Sequence, residues 1–331
     1  MELGFIHIGM MKTATTYMQN VWKRDEKYCL SWRGSFELLE SLRNSVVKGD
    51  YNANLKLNIK SDLSYKEGQK FILSNEGFST AYLNQIKNQH KIPQFIDSAS
   101  RNLSRLAKKK QNLLIVIRDP MSWLKSIHIQ SIKEGGSGSA TSFIEDQYNF
   151  LKHSLDLDYI VKSYERYFNI LILPYELFKS DENMFWKIIS EAFELPIVEE
   201  RIENKINPSL DPKRTYLLSK LNEQSHMLTG TLIDSKDYNH IQEKEHIVTN
   251  YLGSGKWIHR RFVEFANDEK INELYNMMNI EYYPENYFDI KIPSYLDEVI
   301  KSQYIGFLRK NNILTEFADQ YEQNLKDYII R

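Results

Sequence analysis

The chain has 331 residues, 42% hydrophobic and 26% charged, with a formal net charge of −1. This is globular composition with enough length for a sizeable core, and it lacks the overall basic excess usual in a nucleic-acid binder. The single cysteine, Cys29, rules out an intrachain disulfide and fits a reducing compartment; no run reaches the roughly 18 apolar residues of a membrane span.

Taken in chain order, the first predicted strand is Leu3–Ile8, ending at Gly9. Lys12 follows, then Thr13, Ala14, Thr15 and Thr16, with a helix predicted over 14–24. A strand, a tight turn and a helix start aim backbone N–H groups and the positive helix end at one spot. A lysine and several hydroxyls at that spot suit a phosphate or sulfate group. The apolar spacing of Phe36, Leu38, Leu39, Leu42, Val46 and Val47 predicts an amphipathic helix over 35–48. Lys70–Leu73 is a short strand candidate, closed by Ser74-Asn75-Glu76-Gly77. A helix is predicted over Ile96–Lys110, with Lys108, Lys109 and Lys110 placed against its C-terminal dipole.

Leu113–Ile117 is an unbroken apolar run, as expected of a parallel strand buried on both faces. It ends at Arg118-Asp119-Pro120. Pro120 forces the chain out of the strand and opens a helix, putting Ser126 about two turns along it. Lys133–Thr141 holds three glycines among small polar residues; it is either a mobile cover over an acceptor site or a plain surface connection. Phe143–Tyr167 is largely helical in pattern, and Asn169–Leu173 is another buried strand. Helices are expected over Met184–Leu195 and Thr215–Asn222. His226, His240, His246 and His259 fit no metal-ligand spacing. Two amphipathic stretches, Tyr295–Lys310 and Leu314–Ile330, complete the chain.

Strands separated by helices imply an α/β fold with a mainly parallel sheet covered on both sides. Ligands in such sheets bind beyond the carboxyl ends of strands. Gly9, Glu76 and Arg118 each follow a strand candidate and are expected on that one edge. The expected organisation is one domain with insertions over residues 1–290 and a helical C-terminal extension over 291–331.

The ATP-binding loop G-x-x-x-x-G-K-[ST] does not match: two residues separate Gly9 from Lys12, and Met11 precedes the lysine. GMMKTATT instead resembles the 5′-phosphosulfate loop of sulfotransferases that use 3′-phosphoadenosine 5′-phosphosulfate (PAPS). Arg118 with Ser126 eight residues on resembles that family's 3′-phosphate site. The segments YIVKSYERYFNILILPYEL (159–177), Asn207-Pro208-Ser209-Leu210, and FVEFANDEKINELY (262–275) with the later PENY also resemble family segments. The resemblance covers most of residues 1–287 and is to bacterial-type members. It implies a P-loop-like three-layer fold. Residues 288–331 match no known segment.

The resemblance implies in-line transfer of a sulfuryl group from PAPS to an acceptor hydroxyl, leaving the nucleotide PAP. Lys12 would stabilise charge on the leaving oxygen. The N–H groups of Thr13, Ala14, Thr15 and Thr16, with the hydroxyls of Thr15 and Thr16, would hold the 5′-phosphate. Arg118 and Ser126 would hold the 3′-phosphate, for which a guanidinium offers two parallel hydrogen bonds. Glu76 is the expected general base. His7, a strand residue, and His128, which faces away from Ser126 on its helix, are the rival bases. Tyr175-Glu176 is expected near the adenine. Lys256, Arg260 and Arg261 form a basic cluster that is either a solvated helix start or a further anion contact. No metal and no nucleic acid are implied. A carboxylate base favours a carbohydrate or glycolipid acceptor. The first strand starts almost at once, with no basic leader and apolar core before it, so the cofactor is expected in the cytoplasm. The alternatives are a P-loop kinase and a non-catalytic glycan- or partner-binding protein on the same fold. Acceptor identity and oligomeric state are not written in the sequence.

Overall fold

The computed structural model describes residues 2–57, 60–79, 86–106, 110–202, 210–234, 257–280, 285–326 and 328. Asn207, Pro208, Ser209, His240, His246, Gly253–Lys256, Lys108 and Lys109 lie outside the described residues. The protein is α/β, with a five-stranded, all-parallel sheet between layers of helices. The strands are β1 Glu2–His7, β2 Tyr28–Ser31, β3 Lys70–Ser74, β4 Gln111–Ile117 and β5 Phe168–Pro174, in the order β2-β3-β1-β4-β5. Four of them lie where apolar runs predict strands. The edge strand β2, Tyr-Cys-Leu-Ser, is too short and mixed to stand out, yet all four of its residues are buried against β3.

The sheet register fixes the functional edge. His7 pairs with both Ser74 and Leu114, and Ile117 pairs with Pro174. The turns after β1, β3, β4 and β5 therefore leave the sheet at nearly one level. β3 and β4 are consecutive in sequence but lie on opposite sides of β1, so the strand order reverses there. The crevice at such a reversal is where open α/β sheets bind ligands.

The helices are α1 Thr15–Arg24, α2 Phe36–Val47, α3 Ile92–Ser104, α4 Pro120–Lys133, α5 Ala140–Asp146, α6 Tyr148–Leu155, α7 Leu157–Glu165, α8 Tyr175–Ser180, α9 Glu182–Phe193, α10 Pro212–Asp234, α11 (257–265) and α12 Asp268–Met277. A C-terminal pair follows. Its first member, α13, joins Ser294–Glu298, a π-helical stretch Val299–Ile305 and Gly306–Lys310; α14 is Thr315–Lys326.

Two boundaries depart from expectation for local reasons. α3 begins at Ile92, with Pro93 in its first turn where proline's missing N–H is harmless. It ends at Ser104, so Lys110 does not cap it. The family-like segment 262–275 is broken at Ala266–Asn267, because the Asn267 side chain caps α12 through the Lys270 N–H at 2.9 Å.

Contacts group the chain into two compact units, and the division falls within α4. The first comprises residues 1–123, 146–206 and 292–331, so the C-terminal pair belongs with the sheet. One sheet face (Phe5, Ile72, Leu114, Val116) packs with Met18, Val21 and Trp22 of α1 and with Phe185, Trp186 and Ile189 of α9. Trp22 meets Phe5 and Trp186 edge-on at 5.5 and 5.8 Å, the favoured arrangement of aromatic rings. The second unit, residues 124–145 and 207–291, has its own core of Ile132, Tyr216, Leu217, Leu218, Val263, Ile271 and Tyr275. No helix among the described residues is long and apolar enough to cross a membrane.

Candidate functional site

The turn between β1 and α1 has an uncommon backbone. Lys12 and Ala14 both have positive φ, 65° and 60°, a conformation that costs L-residues roughly 1–2 kcal/mol each. It is held because four successive carbonyls accept side-chain donors. Ser79 Oγ donates to Gly9 at 2.9 Å, and Thr13 Oγ1 to Met10 at 2.6 Å. Trp123 Nε1 donates to Met11 at 3.0 Å, and Arg118 Nη1 to Lys12 at 2.8 Å. In a trans peptide the N–H points opposite to the C=O. With the carbonyls tied outward, the amides of Met11, Lys12 and Thr13 turn the other way. Successive amides in alternating conformations form an anion-binding nest. Gly9 has to be glycine: a Cβ there would lie 2.8 Å from the Val116 nitrogen.

Helix α1 opens directly from this turn. No side chain caps Ala14, and its first turn holds no acidic residue. The Glu76 carboxylate reaches the first residue of this helix, and an anion placed at such a positive helix end gains about 0.3–2 kcal/mol. Thr16 is exposed there, while Thr15 is buried and donates a long 3.4 Å hydrogen bond to Glu76 Oε1. Thr13 is fully buried with its hydroxyl spent on the turn.

Glu76 opens the short turn Glu76–Phe78 after β3. Asn75 Oδ1 accepts from the Gly77 amide at 2.9 Å, and Ser79 bonds both the Glu76 and Gly9 carbonyls. Ser79 therefore links the β3 and β1 turns. This brings Lys12, Thr15 and Glu76, three expected site residues, into one region.

Arg118 extends from β4 into the same region. Its guanidinium donates to the Lys12 carbonyl and, through Nε, to Ser122 Oγ at 2.7 Å. Its charge also lies 5.0 Å from the centre of the Tyr175 ring, a cation–π contact. Burial lowers its pKa, but an arginine of this kind keeps its charge at any physiological pH. The serine bonded to Arg118 is Ser122. Ser126, the expected partner, is half-buried one turn further along α4, in the portion grouped with the second unit.

The rival bases have other occupations. His7 is fully buried, bonds Ser74 Oγ at 2.8 Å, and has its pKa lowered to about 3 by burial. It is a neutral core group. Within the second unit, His128 Nε2 bonds the Gly138 carbonyl at 2.9 Å, and burial lowers its pKa. Asn222 also donates to the Gly136 carbonyl and Tyr287 to those of Ser137 and Gly138. The glycine-rich segment is thus tied at three successive residues. In the basic cluster, Arg260 pairs with Glu264 at 2.9 Å and stacks on Trp257, and Arg261 lies over Phe265.

Tyr175 and Glu176, expected near the adenine, both reach the end of β4. Tyr175 faces Arg118, and Glu176 Oε1 accepts from the Asp119 amide at 3.1 Å. Sequence reasoning missed Ser79, Ser122, Trp123, Tyr304 and Tyr321. None carries a motif; each is recognised by the atom it touches. A groove of about 510 Å³ lies at the opposite, amino edge of the sheet, lined by Leu3, Lys70, Gln111 and Phe193 among others, and includes none of the expected site residues. Among the described residues, no group of three or more His, Cys, Asp or Glu side chains is placed to hold a metal ion. No protein-family model matches the chain, and no curated protein matches it significantly.

Proposed function

We propose that the protein is a PAPS-dependent sulfotransferase of bacterial type, acting in the cytoplasm on a hydroxyl of a carbohydrate or glycolipid. The observation that carries the reading is the β1–α1 turn: a helix start at Ala14 and a carbonyl-tied nest at Lys12, joined to Arg118 by a hydrogen bond. A 5′-phosphosulfate fits the nest and helix end. A 3′-phosphate fits the guanidinium of Arg118.

When bound, the donor supplies a sulfuryl group whose S–O bond to the phosphate breaks as a new S–O bond to the acceptor oxygen forms. The electron pair of the breaking bond goes to the phosphate oxygen, where the Lys12 ammonium stabilises the charge. The acceptor proton passes to the Glu76 carboxylate, acting as the general base. The turn is already held in a strained shape by four side chains, so its donors need little reorganisation, the condition under which such donors are most effective.

The test is transfer of labelled sulfate from PAPS to a panel of saccharide and glycolipid acceptors. Label should appear on an acceptor with the wild-type protein and not with Lys12→Ala. Transfer by Lys12→Ala at the wild-type rate would overturn the assignment of Lys12.

A further inference from the structure

The C-terminal pair α13–α14 carries no recognisable motif, yet it reaches the centre of the site. Tyr304 lies in the π-helical stretch of α13 and is fully buried. Its hydroxyl donates to the Arg118 carbonyl at 2.8 Å, accepts from the Arg118 amide at 3.2 Å, and lies 3.3 Å from Met10 Sδ. One side chain thus satisfies both main-chain polar groups of Arg118 and touches the nest.

The arrangement has a local cause. The Leu114 and Val116 carbonyls accept from the Ile8 and Met10 amides of the chain leaving β1, and the Arg118 carbonyl is the next on that side, beyond the last of those bonds. A buried carbonyl without a donor costs about 1–3 kcal/mol. The Tyr304 hydroxyl fills that place. Burial holds the phenol well above its ordinary pKa, so it remains a donor.

A second line reaches Arg118 through side chains. Asn324 Nδ2 donates to Asp119 Oδ2 at 3.1 Å, and Tyr321 donates to Glu176 Oε2 at 2.7 Å. Glu176 in turn accepts from the Asp119 amide. Asp119 Oδ1 accepts from the Ser122 amide at 2.7 Å, and Ser122 Oγ accepts from Arg118 Nε. Backbone and guanidinium of Arg118 are therefore both referenced to the C-terminal pair.

We infer that Tyr304 is a positioning residue for recognition of the 3′-phosphate, acting through Arg118, with Asn324 supporting it through Asp119. The inference rests on the reading of Arg118 as the 3′-phosphate contact. A residue that only stabilised the fold would affect every ligand alike; one that aims Arg118 affects only the ligand that Arg118 recognises.

The experiment measures binding of PAP and of adenosine 5′-monophosphate, which lacks the 3′-phosphate, to the wild type, Tyr304→Phe and Asn324→Ala. Tyr304→Phe keeps the ring and its packing. It should weaken PAP about tenfold, the loss of one well-placed hydrogen bond, and leave the monophosphate within about twofold. Asn324→Ala should act in the same direction with a smaller effect, and serves as the second variant should Tyr304→Phe fold poorly. A wild type that prefers PAP, with variants that prefer it equally, would overturn the inference alone. A wild type without preference would overturn the reading of Arg118 and the inference with it.

Discussion

The turn between β1 and α1 and the C-terminal pair α13–α14 both meet Met10 and Arg118, yet they differ in how they announce themselves. The turn is a contiguous motif in which glycine, lysine and threonines follow a strand at short spacing. The C-terminal pair is an ordinary amphipathic pattern whose tyrosines pass for core. The difference separates two kinds of site residue. Those that touch a ligand need a particular chemistry at a particular spacing, and sequence displays it. Those that hold such residues in place need only reach the right backbone atom, and many side chains on many segments can do so.

The largest expected effect breaks the turn itself. Lys12→Ala should lower turnover about 10²–10³-fold with an unchanged folded state by circular dichroism. Glu76→Gln should lower turnover by a similar or smaller factor while PAP binding stays near the wild-type value. Weakened PAP binding in that variant would make Glu76 part of the cofactor site and not the base. Arg118→Ala addresses the point where the two regions meet. It removes a charged donor from both Lys12 and Ser122 and should cost roughly 2–3 kcal/mol of PAP affinity, about 30–150-fold. It should also lower the melting temperature, since the strained turn loses one of its four ties. An Arg118→Ala protein with wild-type affinity would show that guanidinium to be structural only.

A smaller effect concerns the core beneath the turn. His7 has a folded pKa lowered from 6.5 to about 3. The unfolded chain takes up a proton below about pH 6.5 that the folded chain refuses. Its contribution is therefore complete above that pH and lost as pH falls toward 3, by about 2 kcal/mol between pH 7 and 5. Urea unfolding at the two pH values should show this loss, and His7→Asn should reduce it. The smallest expected effect is at the C-terminal pair. Tyr321→Phe removes the hydrogen bond to Glu176 and should cost about 1.5 kcal/mol of stability. No measurable cost would place the anchor of the pair on Tyr304 and Asn324.

Much of this fold is legible in the sequence, because Phe71–Leu73 and Leu113–Ile117 are unbroken apolar runs and Phe5–Ile8 is interrupted only by His7, the character that a parallel sheet demands. Strand β2 is not, since Tyr28–Ser31 is held as an edge by pairing with β3 and not by its own pattern. Of the candidate site, the turn, Glu76 and Arg118 are legible, because each ends a strand on the same edge. Ser122 is not, although it follows Arg118 by one helical turn, because a serine at that spacing is common on helices. The ties of the glycine-rich segment are not legible for a related reason. Composition predicts looseness, but the hydrogen bonds from His128, Asn222 and Tyr287 come from sequence-distant groups.

The central claim is that the turn at Lys12 and the guanidinium of Arg118 together hold a nucleotide by both of its phosphate ends. It is tested most directly by calorimetry of PAP and of adenosine 5′-monophosphate against the wild-type protein, without added magnesium. The account predicts clear binding of PAP and a large loss when the 3′-phosphate is missing. Equal binding of the two nucleotides, or binding of ATP alone and only with magnesium, would contradict it.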